Sequence, residues 1–321
     1  MRYLVTGATG FLGAHLVRVL EAHGHEVARF SRSTGNDVLD AGGVARAVRG
    51  CDGVFHCAGK VSRKPDDAEE LYRLHVEGTR TLLDGCQRAG VPRVVVASSS
   101  GTVAVSSDPR HQGTERDPTP IDLVAKWPYY RAKLFAERVA LGPRAGALEV
   151  ICVNPSLLLG PGDINASSTG DVRMFLEGSI VAVPAGGLSF VDVRDAAEAM
   201  RLAMGRGRPG ERYLVGGCNL TIRDLLRRLS GVSGVPGPWA ALPRSPSLVR
   251  MGAGLVERAA SRLGVPSPFD PVAVEMAQYF WYVDATKART ELGWSSREAN
   301  VTLFDTVEDL RSRGVVWPRG N

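Results

Sequence analysis

The sequence predicts a doubly wound α/β fold with a parallel sheet, followed by a smaller and less regular region. Three observations carry that prediction. Through residue 155, short apolar runs alternate with longer amphipathic stretches, the pattern of strands buried on both faces and of the helices that cross between them. A glycine-rich turn follows the first apolar run directly. Beyond residue 155 the alternation gives way to Gly/Pro/Ser-rich loops and separate helical segments.

Taken in order, "RYLVT" (2–6), "EVARF" (26–30), "GVFHCAG" (53–59), "RVVVASS" (93–99) and "LEVICVNP" (148–155) read as strands. Their length suits parallel strands covered on both sides. The stretches 11–23, 67–88 and 130–141 between them carry the helical period, so right-handed crossovers are expected. Further on come a strand-like "RYLVGG" (212–217), a helix at 221–230 and an amphipathic stretch at 247–263. That last stretch sets Leu248, Val249, Leu255, Val256 and Leu263 against Arg250, Arg258 and Arg262. A lid helix packed on its own protein is the favoured reading over one lying on a membrane.

Composition narrows the function. With 321 residues, 44% apolar and 23% charged, the chain can bury a large core. No apolar run approaches the 18 residues a membrane span needs, and the first residues lack a basic segment followed by an apolar one. Five scattered cysteines (51, 57, 86, 152, 218) read as reduced thiols, so a cytoplasmic location is expected. The net charge of +5 comes from basic residues interleaved with acids, which argues against a nucleic-acid partner. Lysine occurs only at 60, 64, 126, 133 and 287, so Lys133 is a rare residue in this chain. His56 beside Cys57 has no second ligand pair at zinc-like spacing, and no metal site is expected.

"TGATGFLG" (6–13) places glycines at 7, 10 and 13 between a strand and a helix. Gly7, Gly10 and Gly13 let the backbone turn tightly and approach a pyrophosphate, whose charge the helix start favours. The end of the second strand should choose between NAD and NADP: an acid there takes a ribose hydroxyl, an arginine a 2′-phosphate. "ARFSRST" has Arg32 and no acid before Asp37, so NADP(H) is preferred, with NAD(H) the other choice. Asp37 is suited to an adenine amino group or simply to a turn.

"SSSGTV" (98–103) ends the fourth strand, and "WPYYRAK" (127–133) follows about thirty residues later. Tyr129 lies four residues before Lys133 and Tyr130 three, both spacings that meet on a helix. Hydride transfer to a carbonyl needs an acid for the developing alkoxide, and a tyrosine serves when a nearby cation lowers its pKa. On these residues alone, either tyrosine could be that acid.

With "HCAG" (56–59), "NPSLLLGPGD" (154–163), "FVDVRDAAEAM" (190–200) and "ARTELGW" (288–294) in the same order, the chain resembles the extended short-chain dehydrogenase/reductase family. The nearest branches are the dihydroflavonol reductase-like and 3β-hydroxysteroid dehydrogenase-like ones. The resemblance implies a Rossmann-type domain at 1–155 with about 188–212, and a smaller substrate-binding domain from 156–187 and 213–321. It implies Ser100 as the donor to the substrate oxygen, Tyr129 as the general acid in a Y-x-x-x-K spacing, and Lys133 as its cation and a ligand of the cofactor ribose. It further implies that amides around Phe11 and Leu12 hold pyrophosphate and that Arg32 takes the 2′-phosphate. Asp37 and Val38 would meet the adenine, Ala58 and Gly59 the adenosine ribose, and Pro155 the nicotinamide. A homodimer through helices 67–88 and 130–141 is implied in the same way. Where many members have Asn, this chain has His75, which is read as structural.

The implied activity is NAD(P)H-dependent reduction of a lipophilic ketone of secondary metabolism. The apolar "SLLL", "MFLEG" and "FDPVAVEMAQYFWYV" segments support that substrate class. A nucleotide-sugar epimerase with tightly held NAD is the alternative, and "SSSGTVAV" lacks the Val-Tyr-Gly that many such enzymes carry. A dinucleotide sensor without chemistry is the third reading.

Overall fold

The computed structural model describes residues 1–143, 147–180, 182–238, 240–242 and 270–316. β1 (Arg2–Thr6) passes through the glycine turn into α1 (Phe11–Ala22), followed by β2 (Glu26–Phe30), α2 (Ala41–Ala47) and β3 (Gly53–His56). α3 (Ala68–Tyr72) and α4 (Gly78–Ala89) flank a π-helical turn at Arg73–Glu77 and lead to β4 (Arg93–Ala97). After α5 (Ile121–Val124), α6 (Pro128–Leu141) returns the chain to β5 (Glu149–Pro155). Proline fits the first turn of α6, where its missing N–H has no partner to lose.

β6 (Leu157–Leu159), α7 (Gly170–Leu176), β7 (Ala182–Val183), β8 (Gly187–Asp192), α8 (Val193–Arg206) and β9 (Arg212–Val215) come next. The remaining elements are β10 (Cys218–Thr221), α9 (Ile222–Ser233), β11 (Ala240–Ala241), α10 (Pro271–Met276), β12 (Phe280–Trp281) and α11 (Ala299–Ser312).

The main sheet runs β2-β1-β3-β4-β5-β9, with every neighbouring pair parallel. Strand side chains alternate between its faces. Tyr3 and Val5 join the layer of α1 and α8, where Leu16 and Leu20 meet Ala196, Met200 and Ala203. Leu4, Val54 and Val94 join the opposite layer, formed by Val44 of α2 and Leu82, Leu83 and Cys86 of α4. The sheet is therefore covered on both faces, and the strand order turns back between β1 and β3. Ligands of such sheets bind outside the strand carboxyl ends at that point.

A second sheet is ordered β10-β8-β12, with β6 also paired to β8. Its core combines Phe175 of α7, Phe190 of β8, Leu226 and Leu229 of α9, and Leu303 and Val307 of α11. β8 thus belongs to this sheet by pairing, whereas α8 packs on the main one. The joint between them is ionic: Arg194 holds both Asp192 and Asp305 at 2.6 Å, and Arg297 holds Asp195 at 2.7 Å. The "FVDVRD" segment supplies Asp192, Arg194 and Asp195 to this joint. β7 and β11 form a separate parallel pair.

The structure departs from the sequence reading in its details. Runs read as strands to 59, 99 and 217 end at His56, Ala97 and Val215. Just past those ends the backbone still pairs once more, Cys57 N–H donating to the Thr6 carbonyl at 3.1 Å, Ser98 to Val153 at 2.8 Å and Gly217 to Phe190 of the second sheet at 2.9 Å, before the chain turns away. The single helix expected at 67–88 is interrupted by the π-turn. There, Thr79 Oγ1 donates to the His75 carbonyl at 2.5 Å, and the His75 ring meets the Lys60 carbonyl at 2.9 Å. The stretch 247–263, read as a lid helix, lies outside the described residues. No described helix is long and apolar enough to cross a membrane.

Candidate active site

The glycine turn is built by close approach. Gly7 has φ +66°, and a side chain there would stand 2.7 Å from the Ala58 amide nitrogen; only glycine avoids both penalties. A Cβ on Gly13 would strike the Gly7 carbonyl oxygen, which fixes α1 tightly under the turn. A Cβ on half-buried Gly10 would press on the same Gly7 oxygen at 3.2 Å, a milder crowding than at Gly13. α1 starts at Phe11 with no acid in its first turn. The amides of Phe11 and Leu12 belong to the helix start that has no intrahelical acceptor, and the dipole there favours an anion. Beyond β5, Ser156 Oγ is buried with no partner among the described residues. An open helix start, a cradle without side chains and an orphaned hydroxyl next to Pro155 fit a dinucleotide laid along this edge.

Arg32 is exposed and opens a short 3-10 turn just after β2. Thr9 of the glycine turn bonds the neighbouring Ser33 hydroxyl at 2.9 Å, which brings the two segments together. Asp37 spends one carboxylate oxygen on the Leu39 amide at 2.9 Å, the turn role that its position also allowed. The Val38 side chain is buried, and a Cβ on Gly78 would lie 2.8 Å from it. Ala58 donates its amide to Thr6 Oγ1 at 3.3 Å, and Gly59 leaves the space that the His75 ring fills.

The serine loop sorts its three hydroxyls. Ser98 donates to the buried carboxylate of Glu137, and Ser99 Oγ accepts from the Gly101 amide at 3.3 Å. Ser100, buried at the start of the 3-10 turn Ser100–Thr102, is the serine the loop does not use for itself. Helix α6 lies against this loop. Tyr130 fills the space a Gly101 side chain would take and stacks on Trp281 with ring centroids 4.9 Å apart. Tyr129 turns the other way, edge-on to His75 at 5.8 Å. Lys133 donates to the Ala97 carbonyl at 2.8 Å, at the very end of β4.

Burial dominates the protonation of these groups. It holds the Tyr129 phenol well above the ordinary tyrosine value, with Tyr130 adding to the effect. It pushes Tyr130 up to about 12 and Lys133 down to about 8. His56 and His75 are both lowered to about 3 by burial, with the Lys133 charge contributing. Both imidazoles are therefore neutral at pH 7. The hydrogen bonds of His56 have one consistent direction: Thr79 has given its proton to the His75 carbonyl, so His56 Nε2 donates to Thr79 Oγ1 at 3.0 Å. His56 Nδ1 then accepts from Thr6 Oγ1 at 2.7 Å. His56 is thereby a satisfied core histidine, and among the described residues no cluster of three or more His, Cys, Asp or Glu side chains could hold a metal.

Sequence reasoning missed Glu137. Its side chain is 3% exposed and gathers Ser98, Thr102 Oγ1 at 3.3 Å, Asn154 Nδ2 at 2.6 Å and Arg212 Nη1 at 3.0 Å. A signal existed: an acid four residues after Lys133, in line with the buried Ala132, Ala136 and Ala140, is a charge on the wrong face of a helix unless paired.

The model of the NAD dependent epimerase/dehydratase family matches residues 3–216. The chain is 33% identical to the "Putative dihydroflavonol 4-reductase" of Synechocystis sp. over 98% of its own length and 96% of the relative's. It is 29% identical to the 4-hydroxy-2-methyl-3-oxo-4-farnesyl-3,4-dihydroquinoline-1-oxide ketoreductase of Stigmatella aurantiaca, covering 98% and 97% of the two chains. Among solved structures, that of gox2253 is similar with a TM-score of 0.84 and 31% identity, covering 98% of this chain and 99% of the other.

Proposed function

The chain belongs to the NAD-dependent epimerase/dehydratase family of extended short-chain dehydrogenase/reductases and is an NAD(P)-dependent oxidoreductase, and from that premise we propose that it reduces a lipophilic ketone with NADPH. One observation carries the reading. The loop whose free serine is Ser100 and the helix bearing Tyr129 and Lys133 meet at the sheet edge, beside an anion-ready helix start. Reductase-named relatives over nearly the full chain support the direction of chemistry.

A dinucleotide held at the glycine turn and the amides of Phe11 and Leu12 would supply the hydride. Ser100 donates to the ketone oxygen and fixes its orientation. Tyr129, kept protonated by burial, gives its proton to that oxygen as negative charge develops there. Lys133 as a cation favours the tyrosinate left behind. The half-buried rings of Tyr130 and Trp281, packed on the buried Trp127, offer apolar contact, which supports a lipophilic substrate. Arg32 at the end of β2 supports NADP over NAD. The division into a dinucleotide-binding unit and a substrate-binding unit, a homodimer and a cytoplasmic setting complete the reading.

The experiment is NADPH oxidation by the purified protein with flavonoid-like, steroid-like, polyketide-derived and other aromatic ketones. Consumption with at least one class is expected. Arg32→Ala should raise the KM for NADPH about tenfold and leave that for NADH within about twofold, the loss of one charge-assisted contact. Absence of turnover on every class, with NAD co-purifying and nucleotide-sugar interconversion without net NADPH use, would replace the reductase by an epimerase.

A further inference from the structure

We propose that Glu137 is a positioning residue of the reaction centre, clamping the serine loop to the helix of Tyr129 and Lys133 and serving as the counter-charge of Lys133. The assignment rests on the reading that these residues carry the reaction.

The clamp is visible in its partners. Glu137 stands one helical turn beyond Lys133 and accepts from Ser98 and Thr102, the residues on either side of Ser99 and Ser100. Asn154 reinforces it: its Nδ2, with two protons to give, lies 2.6 Å from the Glu137 carboxylate, 3.0 Å from the Ser99 carbonyl and 3.2 Å from Thr102 Oγ1. β4, the serine loop, α6 and β5 are thereby tied at one carboxylate. Arg212 joins them to β9 through its ion pair with Glu137.

The counter-charge follows from what faces Lys133. The groups are His56 and Cys57 at the end of β3, His75 on the π-turn, Cys152 on β5, Glu137 on its own helix and, on the proposed mechanism, Tyr129, whose phenol burial keeps protonated. The two histidines are neutral near pH 7, and burial keeps both thiols protonated, Cys57 up to about 12 and Cys152 well above the ordinary value. Glu137 alone of this set is left to balance the ammonium, across a small cavity that both residues line with His56 and Ser98. A buried lysine without such a partner loses its proton readily.

Lysine occurs five times in the chain, so ε-carbon-labelled lysine gives an NMR titration in which Lys133 is assigned by its own substitution. Glu137→Gln should lower the Lys133 midpoint by about one pH unit, and Arg212→Gln, which frees the carboxylate from a competing cation, should raise it by about half a unit. With a ketone substrate, Glu137→Gln should lower kcat about tenfold or more while KM for NADPH stays within about threefold, the pattern of a group acting on the reaction centre. A Lys133 midpoint that stays put in both variants, or moves with the opposite signs, overturns the proposal. If Glu137→Gln does not fold, the sign of the Arg212→Gln shift decides. Because the titration needs no substrate, the expected shifts in the two variants, found together with a wild-type protein that reduces no ketone, would sink the reductase reading and leave the counter-charge standing.

Discussion

Tyr129 and Tyr130 are adjacent in the chain yet separated by the 100° step of a helix, and the step sends them to different neighbours. Tyr129 faces His75 and Tyr130 fills the gap over Gly101. Removing the Tyr129 hydroxyl should lower kcat/KM by about 10²–10⁴-fold, the usual loss of a general acid. Tyr130→Phe keeps the ring that Gly101 and Trp281 need, and its kcat/KM should stay within about threefold of wild type. A reversal of these two outcomes in steady-state assays would exchange their roles. On the proposed ketone reduction, Lys133 sets a pH limit, since that reaction would need both the phenol proton and the cation. With Lys133 at about 8, kcat should be flat at lower pH and fall by half near pH 8, read from rates between pH 6 and 10 at saturating NADPH. Ser100, Tyr129 and Lys133 could be named as candidates from the sequence because the family resemblance carries a position in the serine run and a Y-x-x-x-K spacing; the residues alone left either tyrosine open. Glu137 was not legible, because its meaning depends on Ser98, Asn154 and Arg212, which come from three other segments.

At the scale of elements, the glycine turn and the π-turn are the two local features that shape the edge of the sheet. Gly13→Ala would drive a methyl group into the Gly7 carbonyl. It should cost about 1–3 kcal/mol of stability, as overpacking does, and weaken NADPH binding about tenfold or more, measured by thermal unfolding and by fluorescence titration. The strands of the main sheet were readable from their apolar runs, which need no partner to be recognised. The strands of the second sheet were not: β6, β12 and the edge strand β10 are short and half-buried, and their hydrogen-bonding partners are more than 25 residues away in sequence. α8 was legible only as a motif, since "FVDVRDAAEAM" names its start but gives no hint of the ion pairs with Asp305 and Arg297. The π-turn left no periodic trace because it shifts the helical phase only once.

Acid should act on the whole molecule through its buried imidazoles. His56 and His75 hold about one proton fewer each in the folded protein than in the unfolded chain between pH 6.5 and about 3. Stability is therefore present above pH 6.5 and lost as pH falls through that window. Urea unfolding at pH 7, 6, 5 and 4 should show the decline. His75→Asn should reduce its slope by about one proton, about 1.4 kcal/mol per pH unit; an unchanged slope would mean that His75 is already charged in the native state. The second sheet has a core of its own, and that core closes late in synthesis. Leu159, Phe175 and Phe190 leave the ribosome more than 100 residues before Leu303 and Val307, against which they pack. At about 5–20 residues per second, most of the main sheet has time to assemble while that apolar surface, met first by Leu226 and Leu229 of α9, waits for α11. Helix α11 is thus the seal of this core, and a chaperone that holds exposed apolar surface would find its target here, in the seconds before residue 310 emerges.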